Sequence, residues 1–483
     1  MPSPYIFFRV LLCHLAATVN AETTAETTNV QLPSHPRFVS SSSSRGTLDI
    51  LWSSLFTIIA CTWTIQHLNV PEQRNSCKPR WRGSLKWYTK NFCTSAKWMI
   101  ITTIAPEVVI GMACYDLLSA RIILRKLQAF ASEDDVPWTL THSYYANMGG
   151  FVIQSGVQEA LHAATYISLE NGRLTTRSGI ASTARSSQKK GAVHRNQIHQ
   201  SLLPPMVAGG ANEISYCHPY HLTGRQIWQL RKDRILPSLP YISETELADR
   251  SKSDAFVKLI ALFQILWATV QIIVRTARKL VISQLELAVI AFAACAIIMY
   301  GLYWSKPKNV GATTTIIQYE GPIPQKVLTL IKGRHTYMGY FLIGDDSRKL
   351  RHGSSIRNDA TENHLDDDDA SFWLYLAMIF GAILFGGIHV GAWNFEFPTR
   401  IELILWRSAS VYSAACGIVI ILVGVILGLF EKSEKLRIVV IQILVFVYIT
   451  ARLVLLVETF RTLFFLPPLA FVSTWTADIP HFS

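Results

Sequence analysis

The sequence predicts an all-α, polytopic helical membrane protein with about six transmembrane helices and one broken segment that is re-entrant or interfacial. Three observations lead there. Half of the 483 residues are hydrophobic and only 16% are charged, against about 25% charged in an ordinary soluble protein. The apolar residues gather in runs of about 20, enough to cross a bilayer core. Stretches rich in Lys, Arg, Ser and Asp separate those runs, and the net charge is +12. A disordered chain, a coiled coil and a small disulfide scaffold are excluded by this balance.

Residues 1–21 read as a signal peptide, with an apolar stretch at 5–19 and a small-residue pattern at Val19-Asn20-Ala21. The Thr- and Ser-rich residues 22–46 are too polar to build a core and read as a flexible lumenal or extracellular tail. In the 47–120 unit, Leu48–Leu68 has the length of a first span, with Trp52 and Trp63 suited to its interfaces. Asp49 at its start reads as a capping or interfacial group. Seven basic residues between Arg74 and Lys97, against the single acid Glu72, put that loop on the cytoplasmic side.

Trp98–Leu118 also has spanning length, but Pro106-Glu107 interrupts it and predicts two half-helices of about eight residues. The basic residues flanking all spans favour a segment that does not cross. The short loops taken alone favour crossing, and the non-crossing form is adopted here. Within 121–255, Ala120–Phe130 has helical spacing with Arg121, Arg125 and Lys126 on one side, the pattern of a helix lying on a membrane surface. Residues 138–153 carry a Met148-Gly149-Gly150 turn. Residues 171–212 hold six basic side chains and no acid, and read as a disordered linker attracted to anionic lipid headgroups. Ser243 and Glu246 have capping-box spacing.

Phe256–Val274 and Val281–Trp304 form a hairpin of two spans within 256–304, and 305–371 is a hydrophilic loop. Its Asp366–Asp369 run lacks the alternating ligands and glycine of a calcium loop and reads as solvated. Phe372–Trp393, Ser408–Phe430 and Ile438–Thr459 make a three-span bundle over 372–460, and 461–483 is a tail.

Ionisable groups at membrane depth are the best functional candidates, because hydrocarbon does not solvate them. Glu107 beside Pro106, His389 and Arg452 are the candidates for an ion or proton pathway. The pairs Gly387/Gly391 and Gly424/Gly428 have the spacing of close helix packing. Glu286, seven residues after Lys279, reads as interfacial. Cys217-His218 with His221 is the one compact Cys/His cluster. His194 and His199, its candidate fourth ligands, lie in the linker, so no metal site is expected. The hydrolase, protease and nucleotide motifs are missing, so no catalytic residue, cofactor or nucleic-acid partner is expected.

Five stretches, at 45–74, 97–107 (KWMIITTIAPE), 138–151 (WTLTHSYYANMGGF), 251–310 and 386–399 (GGIHVGAWNFEFPT), resemble an uncharacterised family of multi-pass integral membrane proteins from filamentous fungi. The resemblance implies a shared membrane architecture and brings no activity or catalytic residue with it. The 171–212 linker departs from the family pattern. The expectation is therefore a non-enzymatic scaffold, sensor or regulator in the plasma membrane or an endomembrane of the secretory pathway. The rival is a channel or transporter for a small ion or solute.

Overall fold

The computed structural model describes residues 45–73, 81–155, 219–251, 255–319, 323–331, 335–336, 355–361, 369–429 and 434–474. The signal peptide, most of the 22–46 tail, the 171–212 linker, Cys217, His218, His194, His199 and Asp366–Asp368 lie outside them.

In chain order the helices begin with α1 (Thr47–Thr64), α2 (Trp81–Ile104), α3 (Pro106–Glu133) and α4 (Leu140–Asn147). Strands β1 (Phe151–Ser155) and β2 (Tyr220–Leu222) follow, then α5 (Gly224–Lys232) and α6 (Glu244–Arg250). Next come α7 (Ala255–Ala277), α8 (Gln284–Leu302), β3 (Thr314–Tyr319) and α9 (Gln325–Ile331). A two-residue ladder, β4 (His335–Thr336) with β5 (Ala360–Thr361), precedes α10 (Asp369–Val390), α11 (Arg400–Leu429) and α12 (Glu434–Arg461). Six helices, α1, α7, α8, α10, α11 and α12, are long and apolar enough to cross a membrane. Their outward faces carry large apolar side chains such as Trp52, Leu266, Phe380, Leu422 and Phe446, as contact with lipid requires.

Contacts between these helices fix how they run. Tyr300 near the end of α8 donates to the Thr64 hydroxyl at the end of α1 (2.6 Å), so both helices finish at one end of the bundle. Lys306 and Tyr303 bond Asp116 of α3 there, at 2.6 and 3.3 Å. At the far end, Arg45 pairs with Glu286 at 2.6 Å, and the Arg275 guanidinium donates to the carbonyls of Val281, Ala470 and Val472. Asp49 caps α1 by accepting the Gly46 N–H at 2.8 Å. Glu286, in the first turn of α8 at this end, is buried in the protein and accepts from the Ser283 hydroxyl as well as from Arg45. Ser283 caps α8 there, its hydroxyl accepting the Glu286 N–H at 3.2 Å.

The first helix end opens into a small folded domain. β1 pairs antiparallel with β2 (Val152 opposite His221) and parallel with β3 (Phe151 opposite Thr314), giving a three-stranded sheet in the order β2-β1-β3. Gly149, at φ +82°, turns the chain from α4 into β1, a conformation that only glycine adopts without strain. Phe151, Ile153, Leu222, Ile227 and Leu247 form the domain core, and α3 contributes Ile123, Leu127 and Ala131 to it. This corrects the surface-helix expectation for Ala120–Phe130. The stretch is the second half of α3, and its apolar stripe is consumed by the domain rather than by lipid. Asp134 closes the helix end by accepting from Arg231 (2.6 and 3.0 Å) and from the Leu239 N–H (2.8 Å). That guanidinium holds the Asp134 carboxyl below its ordinary range.

Candidate functional site

The break at Pro106 divides two long helices, α2 and α3, in place of the expected half-helices of about eight residues. Ala105, at φ −139° and ψ 67°, is the single non-helical residue between them. α3 begins at the middle of α10 and runs antiparallel to it. A Cβ on Gly381 would lie 2.9 Å from the Cβ of Glu107, a Cβ on Gly111 would strike Met378, and Tyr115 packs on Leu374. From there α3 emerges into the domain.

α2 starts from that same end. Its Trp87 indole donates to the Glu72 carbonyl at 3.0 Å, and Phe92 sits 6.2 Å from Trp63, near the end of α1. Its last residue, Ile104, meets α12 in the interior, where Arg452 Nε donates to its carbonyl at 2.6 Å. Together α2 and α3 therefore form a hairpin that enters the bundle from the domain end, turns at half depth, and leaves by the same end.

At the tip of this hairpin the three ionisable candidates meet. Glu107 (5% exposed), His389 (3%) and Arg452 (5%) are all buried. The Tyr448 hydroxyl donates to Glu107 Oε1, and also faces the Ile104 carbonyl at 3.4 Å. Arg452 places its guanidinium over the Phe385 ring at 3.8 Å, a cation–π contact at close range. Phe385 in turn stacks on His389 with centroids 4.6 Å apart. His389 Nδ1 donates to the Phe385 carbonyl at 2.8 Å, because a carbonyl oxygen only accepts. Arg452 Nη2 has no partner among the described residues.

Local sequence explains the arrangement. Proline cannot continue a helix from inside but is favoured in a first turn, so Pro106 ends α2 and starts α3 in one step. The Glu107 carboxylate then sits at the positive end of the α3 dipole. Gly381 lets the tip approach, because any side chain there would strike the Glu107 Cα and Cβ. Tyr448 was missed by the sequence reading. A tyrosine inside an apolar run is common, and only the position of Glu107 gives its hydroxyl a role.

The glycine-spacing expectation is corrected. Gly387, Gly424 and Gly428 face open space among the described residues, and Gly391 meets only a carbonyl of its own turn. The close crossings are at Gly386, where a Cβ would fall 2.4 Å from the Ala414 backbone nitrogen, and at Gly417 against Ile379. Four-residue spacing marks one helix face, and these faces do not carry the partner helix. His221 of the Cys/His cluster lies in β2, its Nδ1 bonded to the Gly149 carbonyl at 2.8 Å.

Fold and site together define a polytopic helical membrane protein with a broken, re-entering helix pair and a buried charge cluster at its turn. The chain belongs to a family of unknown function, DUF8562, which matches residues 14–201 and 221–332. Glu107 falls within the matched stretches, whereas Phe385, His389, Tyr448 and Arg452 lie beyond them. No curated protein and no solved structure matches the chain.

Proposed function

We propose that the protein is a channel or transporter for a small ion, and that Glu107 is the group that binds and releases a proton in its interior. One observation carries the reading: a helix break at half depth brings a carboxyl, a phenol, a guanidinium and a helix-end carbonyl to one buried point. As a structural device this is a poor choice. A buried ion pair is often no more stabilising than apolar residues of the same volume. Broken helices whose ends meet charged groups near the midplane are instead the recurring construction of ion and solute pathways. Glu107 and Arg452 are neutral as a pair. Protonating Glu107 leaves Arg452 charged with the Ile104 carbonyl and the aromatic rings as its partners, so the two protonation states favour different packing.

α2, which enters from the domain end, carries Lys86, Lys90 and Lys97 of the basic run read between 74 and 97, and this excess supports a cytoplasmic side for that end. The 171–212 linker supplies charge for the anionic headgroups of that leaflet. A secretory-pathway membrane and the fungal multi-pass family fit the same reading.

The folded domain favours a second reading, a scaffold or sensor that acts through partners. Purified protein reconstituted in vesicles with an entrapped pH dye separates the two. Under an imposed diffusion potential, the wild type should change the internal pH and Glu107→Gln should behave like protein-free vesicles. Wild-type vesicles that match empty ones would refute transport of protons and leave the scaffold reading standing.

A further inference from the structure

We propose that Glu402 and Glu458 form a second proton-binding site, at the far end of the bundle. Glu402 lies in the first turn of α11, where the Thr399 hydroxyl accepts its N–H at 3.3 Å. Its Oε1 accepts from Arg461 Nη2 at 2.6 Å, and its Oε2 has no partner among the described residues. Glu458, on α12, also has an unpartnered Oε2. Each residue is only 7% exposed. The charged groups acting on Glu458 are Glu402 and Arg461. Two buried carboxylates and one half-exposed guanidinium leave one negative charge in excess. A single proton on one of them cancels that excess and gives its carboxyl an O–H in place of an unpartnered acceptor.

The other ionisable groups on the elements around this end have their own engagements or distance. Arg407 donates to the Trp393 carbonyl at 2.8 and 3.0 Å, and Glu286 is held by Arg45 and Ser283. Arg400 opens α11, Glu396 lies in the loop before it with its carbonyl bonded to Gln284, and Lys279 sits in the turn between α7 and α8. Toward the interior, Arg452 is six residues from Glu458, about 9 Å along the helix. His389 lies beside Trp406, one turn beyond Glu402, and its carbonyl accepts the Trp406 indole N–H at 3.1 Å. If the interior site moves protons as proposed above, this pair is its exchange point with the far side. Hydronium gives its proton to a carboxylate oxygen and leaves as water, and the reverse step restores the carboxylate. The proton site itself stands whether or not transport occurs.

Infrared difference spectra of the full-length protein in lipid nanodiscs, titrated from acid to alkaline buffer, test it. In a Glu107→Gln background, which removes the band of the interior carboxyl, a C=O stretch of a second buried protonated carboxyl should be lost on titration, and should be absent once Glu402→Gln or Glu458→Gln is added. Arg461 is half exposed, so Arg461→Gln tolerates the change and should move the loss of the band to more alkaline pH. In that background, a band that survives both Glu402→Gln and Glu458→Gln, or a titration unmoved by Arg461→Gln, overturns the proposal. A correct band pattern in a protein whose vesicles show no proton flux would sink the transport reading alone.

Discussion

Replacing Gly381 by alanine adds one methyl group at the tip of the hairpin, and its consequence follows from distances. The new Cβ would lie 2.9 Å from the Cβ of Glu107 and 3.0 Å from its Cα. A flexible side chain would swing aside, but a backbone carbon at the turn between two helices moves only with its helix. Overpacking of this kind costs about 1–3 kcal/mol. Gly387→Ala, on the same helix, is the matched control, because nothing lies within 4 Å of its added carbon. Both substitutions gain a similar helix propensity of about 0.5–1 kcal/mol, so the difference between them isolates the clash. Unfolding of the purified proteins in micelles with rising denaturing detergent, followed by tryptophan fluorescence, should separate the variants by about 1–3 kcal/mol. Equal unfolding midpoints would refute the close approach of Glu107 to α10, and with it the depth assigned to the hairpin.

Three further outcomes are expected. In a cysteine-free background, restored Cys93 and Ser132→Cys should both react with a membrane-impermeant maleimide from one face and Asn394→Cys from the other; labelling of the first two from opposite faces would mean that α2 and α3 cross. Asp134→Ala should destabilise the domain by about 1.5–2 kcal/mol, because the partly buried Arg231 guanidinium loses its two-point partner and the Leu239 N–H loses its acceptor. The Asp134 value is lower folded than unfolded, so its contribution is complete above about pH 4 and fades as pH falls through the folded value; a pH series of thermal unfolding should show that loss in the wild type and not in Asp134→Asn. Gly149→Ala forces a side chain into positive φ, with Ile356 and the His221 Cβ 3.1–3.2 Å away, at a cost of about 1–2 kcal/mol that faster hydrogen exchange of the β1 amides should report.

The spans were legible because bilayer thickness imposes one length on every crossing helix, and a run such as Ser408–Phe430 has no other use. The Pro106 break was legible for a local reason too, since proline acts on its own turn. The bond of Tyr448 to Glu107 and that of Arg452 to the Ile104 carbonyl were not, because each joins residues more than 340 positions apart, and nothing in either stretch names the other. The same holds for the sheet. β2 is three residues long and β1 five, too short to show alternation, and their register is set by contacts across the chain. The glycine pairs failed for the opposite reason. A spacing of four describes how one helix is surfaced and says nothing about which side its neighbour takes.

Helix α3 has two addresses: Glu107 in its first turn at the charge cluster, and Ala131 in its last turn in the domain core. Both lie on one unbroken helix of 28 residues, a rod of about 42 Å at 1.5 Å per residue. No loop between the two intervenes to absorb movement. Bundle and domain share a single beam, so a force applied to the domain arrives at Glu107 as a tilt or a slide of the whole rod, and a rearrangement at the turn is displayed, leveraged, at the domain surface.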